Sequence, residues 1–299
     1  MKRSISIQCL LLSLFCITFF GGCSNDDDEN LKTKQLPIEA QNFLTYHLPD
    51  QSPSKIEKIT STDSENGDNY KVYFQDDLSI TFNQIGDWLN ITSPNSTFPG
   101  SLNLFFSGEE SEYIRKNYPN DPIIGITPTF FGNIFTLQSN KELAFQTYQC
   151  IFLGETLDIN SLDELPTSIK QFISHHFPEA KYQTIIKNTS INEDTDYNYI
   201  VWLNGNIKLE FDINNNWKEL DGYGKLLPTS IIESLPTKVK EYLTSRYPEA
   251  QITAILLAHS TQYTIRVSKT LQVVIDPEKE HISIELDKID EFINKYFVG

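Results

Sequence analysis

The sequence predicts a mixed α+β fold built from tandem repeats, each consisting of one helix packed on a four-stranded antiparallel sheet. A short pattern recurs: an aromatic residue, then Leu or Ile, then four residues later a large apolar residue and proline. It occurs four times, ending at Pro49, Pro119, Pro178 and Pro248. After the copies come segments of alternating apolar and polar residues, which are typical of strands with one buried face.

Each copy of the pattern predicts a helix that ends at its proline, because proline disfavours helical geometry in the residue before it. Three copies also begin with Leu-Pro, and proline suits the first turn of a helix, where its missing N–H would lack a partner. These pairs start at Leu36, Leu165 and Leu235. The second copy has Phe106-Ser107 instead, so its helix is predicted to begin near Glu109. A short extra helix is predicted over residues 228–234.

Four strands are predicted after the first, third and fourth helices. The predicted ranges are 56–60, 70–74, 78–82 and 88–91 in the first unit, 180–187, 197–203, 207–212 and 217–220 in the third, and 252–257, 263–267, 271–275 and 281–285 in the fourth. Asn204-Gly205 is interpreted as a tight hairpin turn that requires positive φ.

The intervals between the four prolines, 70, 59 and 70 residues, predict four units arranged as two pairs. The polar stretch 155–164 suits a boundary between the pairs. The predicted domains are therefore residues 36–154 for the first pair and 155–299 for the second.

The N-terminus has the pattern of a secretion signal over residues 1–22. Two basic residues precede an apolar run that is too short to span a membrane, and a small Gly-Gly pair precedes Cys23. An uncleaved membrane anchor is the alternative. Phe20-Gly21-Gly22-Cys23 resembles the lipobox of bacterial lipoproteins, which implies that Cys23 bears lipid and anchors the chain.

Residues 23–35 are interpreted as a flexible acidic tether. Their acidic run, Ser24 to Glu29, resembles the export signal of Bacteroidota lipoproteins, which implies an outer membrane lipoprotein displayed on the cell surface rather than in the periplasm. A solvated charge run without a sorting role, on a lipoprotein retained in the periplasm, is the alternative.

The formal net charge of −16 makes nucleic acid an unsuitable partner, because phosphate backbones repel such a chain. Anionic membrane surfaces repel it too, so the lipid is the predicted membrane contact. The mature domain has one cysteine, Cys150, which excludes an internal disulfide. We interpret Cys150 as a buried strand residue, with a nucleophile as the alternative.

No catalytic or metal-binding motif stands out, and no cofactor is predicted. His47, His175 and His176 are predicted in the last turns of helices, where cations complement the helix dipole. Residues 194–198 alternate oxygen-bearing side chains like a calcium loop. The sixth position is Tyr199 rather than glycine, which favours a polar turn.

The Leu-Pro starts, the Tyr/Phe-Pro-Glu-Ala helix ends and the strand endings 211–217 and 82–88 resemble PepSY-like repeat lipoproteins of Bacteroidota. These are grouped by fold with the secreted beta-lactamase-inhibitor protein. The resemblance covers residues 36–285. It implies a helix-on-sheet repeat with a concave binding sheet, and it does not imply that a beta-lactamase is the target.

The candidate binding face is the side of the sheet away from the helices. Tyr73, Trp202 and Arg266 occupy matching positions in the second strands of the first, third and fourth units, and Thr136 is their counterpart in the second. Alternation predicts that they point away from the helix. Tyr, Trp and Arg are frequent anchors of protein interfaces. The alternative is that paired units bury these faces against one another or simply display them.

The sequence therefore favours a lipid-anchored, extracytoplasmic, non-catalytic binding protein that recognises a protein or peptide through its open sheet face. A basic patch on the partner would speed association. Two alternatives stay open: an inhibitor or chaperone of a secreted enzyme, and a carboxylate-based hydrolase that spacing does not reveal.

Overall fold

The computed structural model describes residues 33–60, 67–95, 98–106, 108–146, 150–189, 197–258, 261–269 and 271–278, and the backbone of 281–286. The predicted signal peptide, Cys23 and most of the tether lie outside the described residues. So do Asp194 and Asp196 of the candidate calcium loop.

Five α-helices lie wholly within the described residues. They are α1 (Ile38–His47), α2 (Glu109–Asn117), α3 (Thr167–His176), α4 (Thr229–Ser234) and α5 (Thr237–Arg246). The residue before each terminal proline leaves helical geometry, as predicted, while its N–H still bonds four residues back. The prolines of the Leu-Pro pairs were expected in the first turn of each helix. Pro37, Pro166 and Pro236 instead lie one position earlier, as N-cap residues with extended ψ.

Sixteen strands are described, and four of them follow each of the helices α1, α2, α3 and α5. The first eight are β1 (Lys55–Ile59), β2 (Asn69–Tyr73), β3 (Ser79–Phe82), β4 (Trp88–Thr92), β5 (Ile123–Pro128), β6 (Gly132–Leu137), β7 (Glu142–Gln146) and β8 (Ile151–Leu157). The others are β9 (Tyr182–Lys187), β10 (Tyr199–Leu203), β11 (Ile207–Phe211), β12 (Trp217–Asp221), β13 (Ala254–Ala258), β14 (Gln262–Ser268), β15 (Leu271–Asp276) and β16 (His281–Leu286).

All described strands form one sheet in which each strand pairs antiparallel with its neighbour in the chain. The pairing is long within each group of four strands and short between groups. Two residue pairs join β4 to β5, and three pairs each join β8 to β9 and β12 to β13. The mixed α+β class with a large antiparallel sheet is confirmed.

Helices cover one face of this sheet and bury two large apolar clusters. The first joins α1, α2 and strands β2 to β8, with Leu44, Ile80 and Ile114 among its members. The second joins α3, α4, α5 and strands β9 to β15, with Ile173 and Val239 among its members. Strands contribute alternate residues, such as Ile80 and Phe82 of β3 or Val201 and Leu203 of β10, as a pleated strand with one covered face must. We call the other side of the sheet the open face.

Two local details differ from the sequence-based expectation. The β10–β11 hairpin has a three-residue loop with positive φ at Gly205 and Asn206, rather than at Asn204 and Gly205. Cys150 lies in the turn before β8 and is half-buried, so it is not a strand residue. No helix among the described residues is long and apolar enough to cross a membrane.

Candidate binding cavity

A row of side chains crosses five neighbouring strands on the open face. Strand register places these residues directly opposite one another: Trp202, Lys208, Asp221, Ala254 and Arg266, from β10 to β14. Directly opposed residues project to the same side of an antiparallel sheet. Their neighbours along the strands, such as Val201 and Ile265, are buried in the helix-side cluster. The row therefore follows from the same alternation that builds the core.

Aromatic side chains surround Trp202 at one end of this row. The ring of Phe131 stacks on the indole at 5.4 Å with an interplanar angle of 5°, and Phe130 meets it edge-on at 4.4 Å. Tyr223 lies 5.5 Å away. Trp202 is only 3% exposed, whereas Phe130 and Tyr223 are each 39% exposed. We call Phe130, Phe131, Trp202 and Tyr223 the aromatic wall. Trp202 is its buried member, and Phe130 and Tyr223 are partly exposed at its edge.

The open face is concave where this wall forms. Phe131 precedes β6, and β6 lies four strands from β10, a separation of about 19 Å in a flat sheet at ~4.8 Å per strand. The ring contact between Phe131 and Trp202 requires the sheet to curl. A third buried cluster on the open face agrees with this curvature, because it joins residues of β6 and β7 to residues of β9 and β10. Its members are Ile134, Ala144, Ile186, Ile200 and Trp202.

Two short loops hold the exposed aromatic rings in place. Phe130 and Phe131 lie in the β5–β6 turn, which is closed by backbone and hydroxyl bonds between Thr129 and Gly132. Tyr223 follows β12, where Asp221 Oδ1 accepts its backbone N–H at 2.7 Å. The residue has φ of 47° and precedes Gly224 at 91°, so an Asx-type turn fixes its position.

Paired charges form the other end of the row. Lys208 Nζ lies 2.9 Å from Glu210 Oε2 and 2.9 Å from Glu219 Oε2. Across the small side chain of Ala254, Arg266 Nη1 approaches Asp221 Oδ1 at 3.4 Å. Asp221 thus contacts both Arg266 and the Tyr223 loop. The charges are held in fixed pairs, which buried ions require.

Titration shifts agree with this burial. Burial alone would lower the pKa of Lys208, but the carboxylates of Glu219 and Glu210 outweigh it and raise that pKa above its ordinary value. Burial raises the pKa of Tyr223 to about 12, with Asp221 and Glu219 acting in the same direction. Lys208 is therefore a cation and Tyr223 a neutral phenol near pH 7.

Together the aromatic wall and the paired charges enclose a cavity of about 560 Å³, which we call the sheet cavity. Its walls come from Phe130, Phe131, Trp202, Tyr223, Lys208, Glu210, Glu219, Asp221 and Arg266, with further residues of β7, β8 and β13 to β15. Ligand pockets typically measure about 300–1,000 Å³ and combine apolar walls with a few placed polar groups. The size and lining of this cavity fit that description.

One polar atom in the wall is unsatisfied. Trp202 Nε1 is buried and has no hydrogen-bond partner among the described residues. A buried N–H without an acceptor costs about 1–3 kcal/mol, so such groups are rare in folded proteins. An acceptor supplied from outside would satisfy it.

The structure brings two of the three predicted anchors together. Trp202 and Arg266 line the same cavity, although Trp202 is packed among aromatic rings rather than displayed. Tyr73 lies on the open face of β2, eight strands from β10, and does not line the cavity. There its hydroxyl bonds Glu57 Oε2 at 3.1 Å, and Lys55 and Lys71 approach its ring. Their joint role in binding stays a prediction.

Thr136 belongs to the same face, but away from the cavity lining. It is half-buried in β6, alternating with Phe135 and Leu137, which belong to the helix-side cluster.

Sequence reasoning missed Phe130, Phe131 and Tyr223, because none has a counterpart in the repeat pattern. Two adjacent aromatic residues in a hairpin turn were the available signal, since exposed aromatic rings often mark a binding surface. The charged residues on β11 and β12 were missed as well.

The histidines occupy the predicted positions. His47 lies in the last turn of α1, and His175 and His176 lie in that of α3. His176 Nδ1 is 2.8 Å from Ser230 Oγ, and burial, together with nearby His175, lowers the pKa of His176. No group of three or more His, Cys, Asp or Glu residues that could hold a metal occurs in the part of the chain that the structure describes.

Cys150 is poorly suited to nucleophilic attack. Burial and the nearby acidic residues Glu110 and Glu109 raise the pKa of its thiol to about 11. Since the thiolate is the reactive form, the thiol is almost entirely protonated near pH 7.

Two solved structures similar to this chain are from Bacteroides species. A proposed periplasmic protein of the DUF2874 family from Bacteroides vulgatus is 23% identical with a TM-score of 0.37, over 44% of this chain and 94% of its own. A proposed calcium-regulated periplasmic protein from Bacteroides thetaiotaomicron is 25% identical with a TM-score of 0.36, again over 44% and 94%. No curated protein gives a significant match.

A family model matches more than half of the chain. It is described as beta-lactamase-inhibitor-like and PepSY-like, and it matches residues 68–151 and 195–283. The two matched regions fall one on each side of the β8–β9 junction, which agrees with an internal repeat. This chain belongs to the PepSY-like, beta-lactamase-inhibitor-like family.

Proposed function

We propose that the protein is a lipid-anchored, extracytoplasmic, non-catalytic binding protein that recognises a protein or peptide through the open face of its sheet, at the sheet cavity. The observation that supports this most strongly is the cavity itself. It combines exposed aromatic rings at its mouth, fixed charge pairs and a buried indole N–H that has no hydrogen-bond partner among the described residues.

The mouth has the composition of an interface anchor. Phe130 and Tyr223 are large rings left partly exposed on a rigid sheet, and rings of this kind bury much area at small entropic cost. In the loops that hold them, the Thr129 hydroxyl donates to the Gly132 carbonyl and the Asp221 carboxylate accepts the Tyr223 backbone N–H. Little ordering energy is then lost when a partner binds.

Charge sets the expected character of the partner. The chain has 40 acidic and 24 basic residues, so its surface field attracts basic surfaces over a distance of roughly 8 Å at physiological salt. Because the cavity's own charges are paired, this attraction acts on surfaces around the mouth. A partner with a basic rim would associate fastest, and added salt would slow association.

The finer organisation of the molecule belongs to the same proposal. We infer four helix-on-sheet units in two pairs, residues 36–154 and 155–299, because the helix-side core divides into two clusters that do not overlap in sequence. The sequence around Cys23 supports a lipid anchor, and the acidic run after it supports display on the outer membrane surface. Inhibition or chaperoning of a secreted enzyme is a special case of such binding.

The cavity contains two neighbouring carboxylates, which are the groups that a carboxylate-based hydrolase would need. Glu210 and Glu219 are directly opposed in the β11–β12 register. Carboxylate-pair hydrolysis needs one member to act as a protonated acid. Here both carboxylates contact Lys208, and Glu210 also contacts Lys218 at 3.3 Å, so each is already engaged in an ion pair. These contacts favour a structural role.

Capture from native cell envelope and culture fluid tests the proposal. Bait proteins would be the wild type, a Phe130→Ala/Tyr223→Ala variant that opens the cavity mouth, and a Tyr46→Ala control. Tyr46 is 77% exposed on α1 and belongs to the other face. We expect the same partner with wild type and Tyr46→Ala, and a loss of at least about tenfold with the double variant.

Equal capture by all three folded baits would contradict binding at the cavity. Capture lost with Tyr46→Ala alone would place the interface on the helix side. Thermal unfolding of each bait beforehand shows that any loss reflects the surface and not unfolding.

A further inference from the structure

The sheet cavity also constrains the chemistry of what enters it. Apolar rings cover one side, formed by Phe130, Phe131, Trp202 and Tyr223. The opposite side has the charged groups of β11, β12 and β14. An occupant must satisfy both sides at once, so its class can be argued from the two sides together.

The charged side disfavours an occupant with net charge. Lys208 is held by two carboxylates and Arg266 contacts Asp221, so an anion would have to compete with carboxylates already in place. A cation would have to displace Lys208 or Arg266. Disrupting a buried ion pair leaves an uncompensated charge, which is strongly unfavourable. A neutral group enters without disturbing either pair.

The aromatic side favours a large apolar group beside a hydrogen-bond acceptor. Trp202 Nε1 is a donor only, is buried, and lacks a partner among the described residues. Trp202 itself is 3% exposed, so its ring is not a free stacking platform. The exposed edges of Phe130 and Tyr223 are the surfaces that an entering group would contact first. An acceptor close to that group would then satisfy the indole.

We propose that the sheet cavity receives one neutral aromatic or large aliphatic side chain of the partner, and that Trp202 Nε1–H donates to a backbone carbonyl beside it. This inference rests on the proposed function and names the part of the partner that is recognised. A volume of about 560 Å³ accommodates such a side chain with its flanking peptide groups. The basic residues that favour association lie outside the cavity.

Four small probes separate the relevant features. N-acetyl-phenylalaninamide is neutral, with a ring and two carbonyls. N-acetyl-phenylalanine has a carboxylate in place of the carboxamide, phenylalaninamide has an ammonium in place of the acetamide group, and N-acetyl-alaninamide lacks the ring. The readout is the indole N–H region of a ¹H–¹⁵N spectrum of the labelled protein. The chain has three tryptophans, and a Trp202→Phe variant identifies the Trp202 resonance.

The neutral ring probe is expected to shift the Trp202 indole resonance downfield, with an apparent Kd on the order of 1 mM for a ligand of this size. Both charged forms should bind roughly tenfold more weakly, and the alanine probe should give no shift. Backbone amide shifts in the Trp202→Phe variant should show affinity for the neutral probe reduced by about fivefold, since the ring remains and the donor is lost. Tyr46→Phe, on the helix side, should bind as the wild type does.

Equal or tighter binding of either charged probe would overturn the neutrality inference. A Trp202 resonance that none of the probes shifts would overturn the whole proposal. That failure is distinguishable from failure of the proposed function, because a partner could still be captured by wild type and lost with Phe130→Ala/Tyr223→Ala. The face would then recognise a partner without an inserted side chain.

Discussion

Tyr73 and Trp202 occupy the same position of their repeats and have opposite surroundings. Tyr73 lies in a polar setting, with its hydroxyl bonded to Glu57 and two lysines near its ring. Trp202 is buried between the rings of Phe131 and Phe130. Both project from the open face. They differ because the curled sheet brings Phe130 and Phe131 onto Trp202, whereas Tyr73 lies near the end of the sheet, on β2.

The difference shows that repeat position fixes the side of the sheet and not the role of the residue. Alternation along a strand determines which way a side chain points. Its neighbours depend on curvature and on loops that the repeat does not share, here the turns that hold Phe130 and Tyr223. The predicted binding face is therefore better described as one cavity than as a uniform surface.

The largest expected contrast is in stability. Trp202→Ala removes a large buried ring from the third apolar cluster and should lower the free energy of unfolding by about 3–5 kcal/mol. Tyr73→Ala removes a half-buried ring from a polar setting and should cost less. Urea unfolding of the two variants beside wild type measures both. Similar losses for the two would mean that the burial of Trp202 is not the feature that separates them.

The second contrast concerns lysines on the same face. Lys208→Met leaves Glu219 and Glu210 without their shared cation and should destabilise by about 3 kcal/mol. Lys55→Met breaks a solvent-exposed pair with Glu57 and should have no measurable effect. Adding Glu219→Gln to Lys208→Met should recover much of the loss, because Glu210 keeps Lys218. Without such recovery, the lost packing of the lysine stem would explain the effect better than charge.

The smallest expected effect is on alkaline stability. The folded-state pKa of Tyr223, about 12, lies above the value near 10 of an unfolded tyrosine. Its contribution is complete below pH 10 and is lost as the pH rises towards 12, because the unfolded chain releases the proton first. Tyr223→Phe should therefore flatten the decline of stability over that interval. Denaturant midpoints between pH 9 and 12 test this, with Tyr73→Phe expected to flatten the decline less.

Sequence reasoning recovered most of the secondary structure because local chemistry determines it. The predicted strands of the first, third and fourth units end within two residues of the observed ones, and α2 begins at Glu109 as expected. The apolar alternation and the terminal prolines supply this information directly. The side of the sheet taken by Tyr73, Trp202 and Arg266 follows from the same alternation.

The cavity could not be predicted in the same way. Its aromatic wall needs Phe131 to reach Trp202 across four strands, and that contact depends on twist accumulated along the whole sheet. Arg266 can reach Asp221 because the small side chain of Ala254 lies between them. This arrangement depends on the register of β13 with β12 and with β14. Local patterns contain neither relation.

Site-specific photo-crosslinking tests the central claim most directly. A benzoylphenylalanine placed at position 130, 73 or 46 reports the mouth of the cavity, the far end of the open face, or the helix side. In intact envelope, we expect position 130 to give a crosslinked partner and positions 73 and 46 to give little. A crosslink from position 73 or 46 with none from position 130 would contradict recognition at the sheet cavity.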